Sequence, residues 1–148
     1  PMVQALAGDV HWIFIGACPQ ALRPYVHEYH AVSPGADYPA QLAGLSLDLA
    51  LLPLLDNRVN ACKSNLLLLQ YGACGIPVVC SDVLLDSAGL PVTRVKNSEA
   101  AWREAVGAYL ADPVASAQVG DLLRATVQRD WMLDGESLQR WREAWLPG

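Results

Sequence analysis

The residues best suited to bind an anion lie in a polar segment, 55–65, between two apolar runs. Two of its side chains, Arg58 and Lys63, are basic. A helix start presents free backbone N–H groups and the positive end of the helix dipole, so a phosphate is stabilised there, and a lysine adds a mobile positive charge. The segment joins a predicted buried strand to a predicted helix and is therefore a candidate anion site. Its small hydrogen-bonding residues are Asn60, Ser64 and Asn65.

A simpler interpretation of the same segment is structural. Asparagine and serine side chains often cap helices, so in this interpretation Asn60 or Ser64 only caps the helix that follows. Lys63 then faces solvent and binds nothing. The spacing of these residues is compatible with both interpretations.

Gln70 is a polar residue in a strongly apolar stretch of the same predicted helix. Leucines occupy 66–69 before it, and Tyr71 follows it. A glutamine amide both donates and accepts hydrogen bonds, so Gln70 needs a partner in such surroundings. That partner is either a sugar hydroxyl in the same cleft as the polar segment or a nearby main-chain group.

Short apolar runs predict the strands of a parallel sheet. The runs at 11–16, 47–53 and 76–82 have the length and composition of strands buried on both faces, and 29–32 and 90–95 are weaker candidates. Helical segments alternate with these runs, and right-handed crossovers place such helices on both faces of the sheet. We therefore expect an open α/β sheet whose ligands bind at the carboxyl ends of the strands.

Local signals predict where the helices begin and end. Asp37 and Pro39 begin a helix of about ten residues, and Gly75 ends a helix over 62–74 in the left-handed conformation. Beyond residue 95 the chain is predicted to be wholly helical. The predicted N-caps there are Asn97 or Ser98 and then Asp112, and a last helix covers 136–145.

Composition limits the classes of partner and compartment. The 148 residues suit a single domain, with a sheet region over 1–95 and a helical region over 96–148. The net charge of -5 disfavours nucleic acid. No apolar run reaches the ~20 residues that a membrane helix needs. The four cysteines form no CxxC pair, and three of them, Cys62, Cys74 and Cys80, lie far downstream of the three histidines, so we expect no metal site, free thiols and a cytoplasmic location.

Aromatic residues are concentrated near the C-terminus. Four of the five tryptophans follow residue 100, and Leu138, Trp141 and Trp145 recur at helical spacing. This stripe either packs onto the domain itself or contacts another part of a longer protein.

Three motifs together resemble a known family. They are Asp-Leu-Ala-Leu-Leu-Pro at 48–53, Asn-Ala-Cys-Lys-Ser-Asn-Leu at 60–66, and Gln-Tyr-Gly-Ala-Cys-Gly-Ile-Pro-Val-Val-Cys-Ser-Asp at 70–82. This order is similar to the C-terminal half of GT-B glycosyltransferases of the glycosyltransferase 4 type. The resemblance spans about 35 residues and extends loosely to the strand that ends at Gly16 and to the helices after Asp112.

The resemblance implies one Rossmann-like lobe of a two-lobed enzyme that transfers a sugar to a glycan acceptor. This lobe would bind the nucleotide-sugar donor as a substrate, with no other cofactor and no metal, and the other lobe would bind the acceptor. The implied process is synthesis of surface polysaccharide, lipopolysaccharide or O-antigen in the cytoplasm, with peripheral attachment to the inner face of the membrane. The isolated lobe would be inactive alone. A nucleotide-sugar epimerase of the same GT-B fold is a further alternative.

The resemblance also implies residue roles. Lys63 would contact the donor diphosphate together with Arg58 and the segment from Asn60 to Asn65. Gln70 and Cys62 stand where the family commonly has two glutamates, so they would contact the ribose and the sugar. Because neither residue is acidic, the alternative is a degenerate lobe that serves as a binding or scaffolding module.

Overall fold

Parallel strand pairs form the centre of the structure. The computed structural model describes residues 2–33, 37–83 and 89–146. The strands are β1 (Ile13–Ile15), β2 (Glu28–His30), β3 (Ala50–Leu52), β4 (Val78–Ser81) and β5 (Thr93–Val95). The helices are α1 (Met2–Ala5), α2 (Tyr38–Gly44), α3 (Arg58–Ala61), α4 (Leu66–Ala73), α5 (Glu99–Ala111), α6 (Pro113–Asp130) and α7 (Gly135–Trp145), and a 3-10 helix covers Gln20–Tyr25.

The predicted α/β class with parallel strands is confirmed, but among the described residues the strands form two small sheets where one open sheet is predicted. β1 pairs with β2, and a separate sheet has the order β3-β4-β5. Every residue of β4 is buried, whereas β1 is only half-buried. The strand that is buried on both faces is therefore β4. The apolar run of β1 predicts the same burial for that strand, but β1 is only partly buried.

The packing of α4 against α6 builds much of the core. Leu68 and Tyr71 of α4 join Leu123 and Val127 of α6 in one buried cluster that also contains β4 residues. Gly72 allows the two helices to approach closely, because a Cβ at that position would lie 2.7 Å from Cγ2 of Val127. These contacts hold α4 firmly against the sheet.

The end of α4 is fixed as the sequence predicts. Gly75 has a φ of +74°, and its N–H donates to the carbonyl of Gly72 at 2.8 Å. The N–H of Ile76 donates to the carbonyl of Tyr71 at 3.0 Å, which completes a Schellman motif. Arg124 donates from Nη2 to the carbonyl of Cys74 at 3.2 Å, so a cation also meets the negative end of the helix.

The predicted helix starts in the C-terminal region are confirmed, whereas the predicted helices before residue 95 differ in part from the structure. Ser98 caps α5 by accepting from the N–H of Ala101, and Asp112 caps α6 by accepting from the N–H of Ala115. Asp37 occupies the N-cap position of α2 as predicted, with Pro39 in the first turn, but its side chain makes no capping bond, and α2 has seven residues where about ten are predicted.

The predicted helix over 62–74 is also shorter in the structure. It begins at Leu66, and a separate short helix, α3, precedes it, with its own cap at Asn57 and its end at Ala61. The polar segment therefore contains a short helix and is not a simple loop.

The last helix, α7, extends over the surface. None of its residues is buried, and Trp145 is 72% exposed. Trp141 and Trp145 stack on each other, with ring centroids 6.4 Å apart. The interpretation that this stripe packs onto the domain itself is therefore wrong.

Candidate functional site

The carboxyl ends of β3, β4 and β5 are tied together by a polar cluster, which we call the strand-end clamp (Leu54, Ser81 and Asn97). The N–H of Leu54 donates to Ser81 Oγ at 2.8 Å. The Ser81 hydroxyl donates to Asn97 Oδ1 at 2.7 Å, and Asn97 Nδ2 donates to the carbonyl of Leu54 at 2.7 Å. Because the three strands are parallel, their carboxyl ends share one edge, the usual ligand-binding edge of such sheets.

The polar segment starts at this clamp and folds on itself. Asn57 Oδ1 accepts from the N–H of Asn60 at 2.9 Å and caps α3. Asn60 Nδ2 donates to the carbonyl of Leu55 at 2.8 Å. Asn60 therefore acts inside α3 and does not cap the helix that follows, and its amide is already engaged with protein.

The two basic residues of the segment are exposed and free of acidic partners. Arg58 begins α3, and Lys63 lies in the turn between α3 and α4. Within 2–33, 37–83 and 89–146, neither side chain forms an ion pair or a side-chain hydrogen bond. Their charges are therefore available to an anion at the start of α4.

Asn65 is the most informative residue of the segment. It is 5% exposed and occupies the N-cap position of α4, yet it makes no capping bond. Its Nδ2 is buried without a hydrogen-bond partner among the described residues. A buried unpaired donor costs about 1–3 kcal/mol, and among the described residues no side chain caps the first N–H groups of α4. These backbone N–H groups are the donors that an anion at the start of α4 would satisfy.

The other predicted site residues, Cys62, Ser64 and Gln70, lie before and after the start of α4. Ser64 is exposed directly before Asn65, and Cys62 is exposed at the end of α3. Gln70 is half-buried in the second turn of α4. Among the described residues its side chain has no hydrogen-bond partner, so the main-chain partner that we considered for it is not found there.

Gly16 lies in the other sheet. It follows β1 with a φ of +88°, and its N–H donates to the carbonyl of His30 at 2.8 Å. A Cβ at this position would lie 2.9 Å from Cγ2 of Val32, so glycine is required by the turn itself. The contacts of Gly16 thus belong to the two-stranded sheet, and no hydrogen bond ties it to the polar segment.

A second polar cluster surrounds β2. Glu28 accepts from Nε2 of His30 at 3.0 Å and from Nε2 of His11 at 2.8 Å, and these bonds lower the pKa of the Glu28 carboxyl. The ring of His11 stacks on that of His27, with centroids 4.7 Å apart. Sequence reasoning missed this cluster because His11 is 17 residues from Glu28. In the part of the chain that the structure describes, no three metal-ligating side chains are placed to hold an ion.

Sequence reasoning also missed the clamp. Ser81 and Asn97 entered the sequence interpretation only as part of a motif and as a possible helix cap. The available signal was their position, since each is polar and lies at or directly after the end of a predicted strand.

Comparison of the chain with protein-family models, curated proteins and solved structures found no match in any of the three. The GT-B resemblance therefore stays a prediction that depends on the quoted motifs. None of the helices in the described ranges is long and apolar enough to cross a membrane.

Proposed function

We propose that this chain is the nucleotide-sugar-binding lobe of a glycosyltransferase and that the start of α4 holds the donor diphosphate. The observation that carries the proposal is the start of α4, where no side chain caps the helix and the buried Nδ2 of Asn65 has no partner among the described residues. Lys63 lies two residues away with no acidic partner among the described residues. Together they supply a mobile cation and free backbone N–H groups, the chemistry that a phosphate requires.

In this proposal the lobe acts mainly through electrostatics. Sugar transfer breaks the bond to the diphosphate, which leaves with increased negative charge. Lys63, Arg58 and the N–H groups of α4 stabilise that charge without a metal ion, since preorganised donors are most effective where charge develops. Ser64 adds a hydroxyl donor, and Asn60 holds the backbone of the segment in place.

The sugar-facing half of the site is proposed from the resemblance. Gln70 would bind the ribose hydroxyls through its amide, and exposed Cys62 would lie near the donor sugar. Neutral groups give weaker bonds to hydroxyls than carboxylates do. From the same resemblance we propose transfer to a glycan acceptor held by another lobe. The process would be surface polysaccharide, lipopolysaccharide or O-antigen synthesis at the inner face of the membrane.

A second candidate function is an interaction module that has lost its donor site. It is favoured by the exposed apolar side chains near the C-terminus. Exposed large apolar side chains that lie close together are typical of interaction sites, and each of these side chains is at least 38% exposed. In the first proposal this surface packs against the other lobe, and in the second it binds a separate protein. Its members are Trp131, Met132, Leu133, Leu138, Trp141, Trp145 and Leu146.

A thermal-shift experiment separates the two functions. The chain is heated with UDP, GDP or dTDP, in parallel with Lys63→Ala and with Arg140→Ala, a control that removes one exposed positive charge on α7. The donor-lobe proposal predicts that one diphosphate raises the Tm and that only Lys63→Ala weakens this effect. If no diphosphate changes the Tm of the folded wild type, the interaction module is favoured.

A further inference from the structure

The backbone N–H and carbonyl of Leu54 are both held by residues outside β3. Its N–H donates to Ser81 at the end of β4, and its carbonyl accepts from Asn97, two residues after β5. The preceding residue, Pro53, has no N–H to donate, so the sheet ladder stops before Leu54. The hydrogen bonds of the clamp therefore begin where those between β3 and its neighbouring strand end. They fix the point at which the polar segment leaves the sheet.

Hydrogen bonds and the backbone between them connect the clamp to Lys63. Leu55, next to the clamped peptide, accepts from Asn60 Nδ2 at 2.8 Å. The carbonyl of Asn60 in turn accepts from the N–H of Lys63 at 3.2 Å. A shift of the Leu54–Leu55 backbone would thus move Asn60, and with it the backbone that carries the Lys63 side chain.

Asn97 has a specific chemical role in this arrangement. Ser81 Oγ receives the N–H of Leu54, so its single proton is directed to Asn97 Oδ1. Asn97 must then accept with its oxygen and donate with its nitrogen, which only an amide of this length does. A carboxylate at the same place would accept from Ser81 but would repel the Leu54 carbonyl.

We propose that Asn97 is a positioning residue for the anion-binding segment, acting through Leu54 and Asn60 on Lys63. The inference rests on the proposed function, because the segment matters only if it binds a diphosphate. Asn97 is exposed on a loop and touches no reacting group in this scheme. Its replacement should therefore alter the polar segment more than the global stability.

The test compares backbone amide hydrogen exchange, measured by NMR without ligand, in wild type, Asn97→Ala and Asn97→Asp. Ser98→Ala is the matched control, since it removes one neighbouring side-chain bond that caps α5 and leaves the clamp intact. We expect both Asn97 variants to speed exchange at Leu54, Asn60 and Lys63 by roughly 3- to 10-fold, the effect of one lost hydrogen bond. Ser98→Ala should leave these three amides unchanged.

Unchanged exchange at Asn60 and Lys63 in both Asn97 variants would overturn the inference. An equal increase across all amides would do the same, because it would show only a loss of global stability. A titration with inorganic pyrophosphate then tests the site itself, with roughly 3- to 10-fold weaker binding expected in both Asn97 variants. If wild type binds neither pyrophosphate nor any of UDP, GDP and dTDP, the proposed function fails, while the exchange result still decides whether Asn97 positions the segment.

Discussion

Gly120 of α6 lies directly against the carbonyl oxygen of Gly75, at the turn that ends α4. A Cβ at residue 120 would also lie 3.0 Å from Cδ of Pro77. The long C-terminal helix therefore supports the turn between α4 and β4. This contact fixes the far end of the helix whose start carries the candidate anion site.

Gly120→Ala should destabilise the fold, because the added methyl meets a backbone carbonyl that cannot move without shifting the turn. We expect a loss of about 1–3 kcal/mol, measured by chemical denaturation. Gly107→Ala on α5 is the control, since its Cβ would meet nothing within 4 Å. It should stabilise the helix by about 0.5–1 kcal/mol. Equal stability of the two variants would contradict this description of the α6 contact.

Trp141→Ala should leave the stability of the described domain nearly unchanged, within about 0.5 kcal/mol, because α7 buries none of its residues. Trp12→Ala provides the contrast. Trp12 is 8% exposed, and its loss should cost about 3–5 kcal/mol. Denaturant unfolding of both variants measures the difference, and a large cost for Trp141→Ala would mean that α7 packs onto the domain after all.

Local chemistry explains which parts of this fold the sequence predicts well. The cap residues Ser98 and Asp112 and the left-handed Gly75 depend on side chains and backbone within a few residues, and all three predictions are confirmed. The predicted start of the helix over 62–74 is wrong, because Asn57 caps a separate short helix, α3, that ends at Ala61. Neighbouring residues are enough to predict the two caps and the left-handed glycine. Predicting the start of α4 requires knowing which of several asparagines acts as a cap.

The site itself depends on contacts between distant residues. Asn97 reaches Leu54 across 43 residues of sequence, and no local pattern indicates that pair. The division into two sheets depends likewise on which strand edges pair. Sequence reasoning could identify Lys63 and Asn65 as candidates, but only the fold shows that the Nδ2 of Asn65 is buried without a partner among the described residues.

Glu28 should give the fold a pH-dependent contribution. Hydrogen bonds from His30 and His11 hold the pKa of its carboxyl below the ordinary value of 4.5. A lowered carboxyl pKa stabilises the folded state above pH 4.5, and this contribution is lost as the pH falls further. Glu28→Gln should therefore be less stable than wild type at pH 6, with the difference fading at pH values below the folded pKa.

Denaturation curves measured across that pH range check the prediction. Glu104→Gln, an exposed position on α5, controls for the loss of one negative charge. If the stability difference between Glu28→Gln and wild type grows on acidification, the lowered pKa of the Glu28 carboxyl is contradicted.

The cysteines should differ strongly in reactivity. Cys62 is exposed, whereas Cys80 is fully buried, and burial raises the pKa of the Cys80 thiol. The thiolate is the reactive form, so iodoacetamide should label Cys62 in the folded chain and Cys80 only after unfolding. Mass spectrometry of timed samples, with Cys62→Ser to identify the site, measures both rates. Comparable labelling of the two thiols under native conditions would show that β4 is not protected as described.

The central claim is that the start of α4 binds a nucleoside diphosphate, and an NMR titration of the chain with UDP, GDP and dTDP tests it most directly. We predict saturable shifts at the amides of Asn65, Leu66 and Leu67 for one nucleotide, weakened roughly 10-fold or more in Lys63→Ala, as expected for a lost charge-assisted bond. Arg140→Ala should bind like wild type. Absence of shifts at these amides with all three nucleotides, in a chain whose spectrum shows it folded, would contradict the claim.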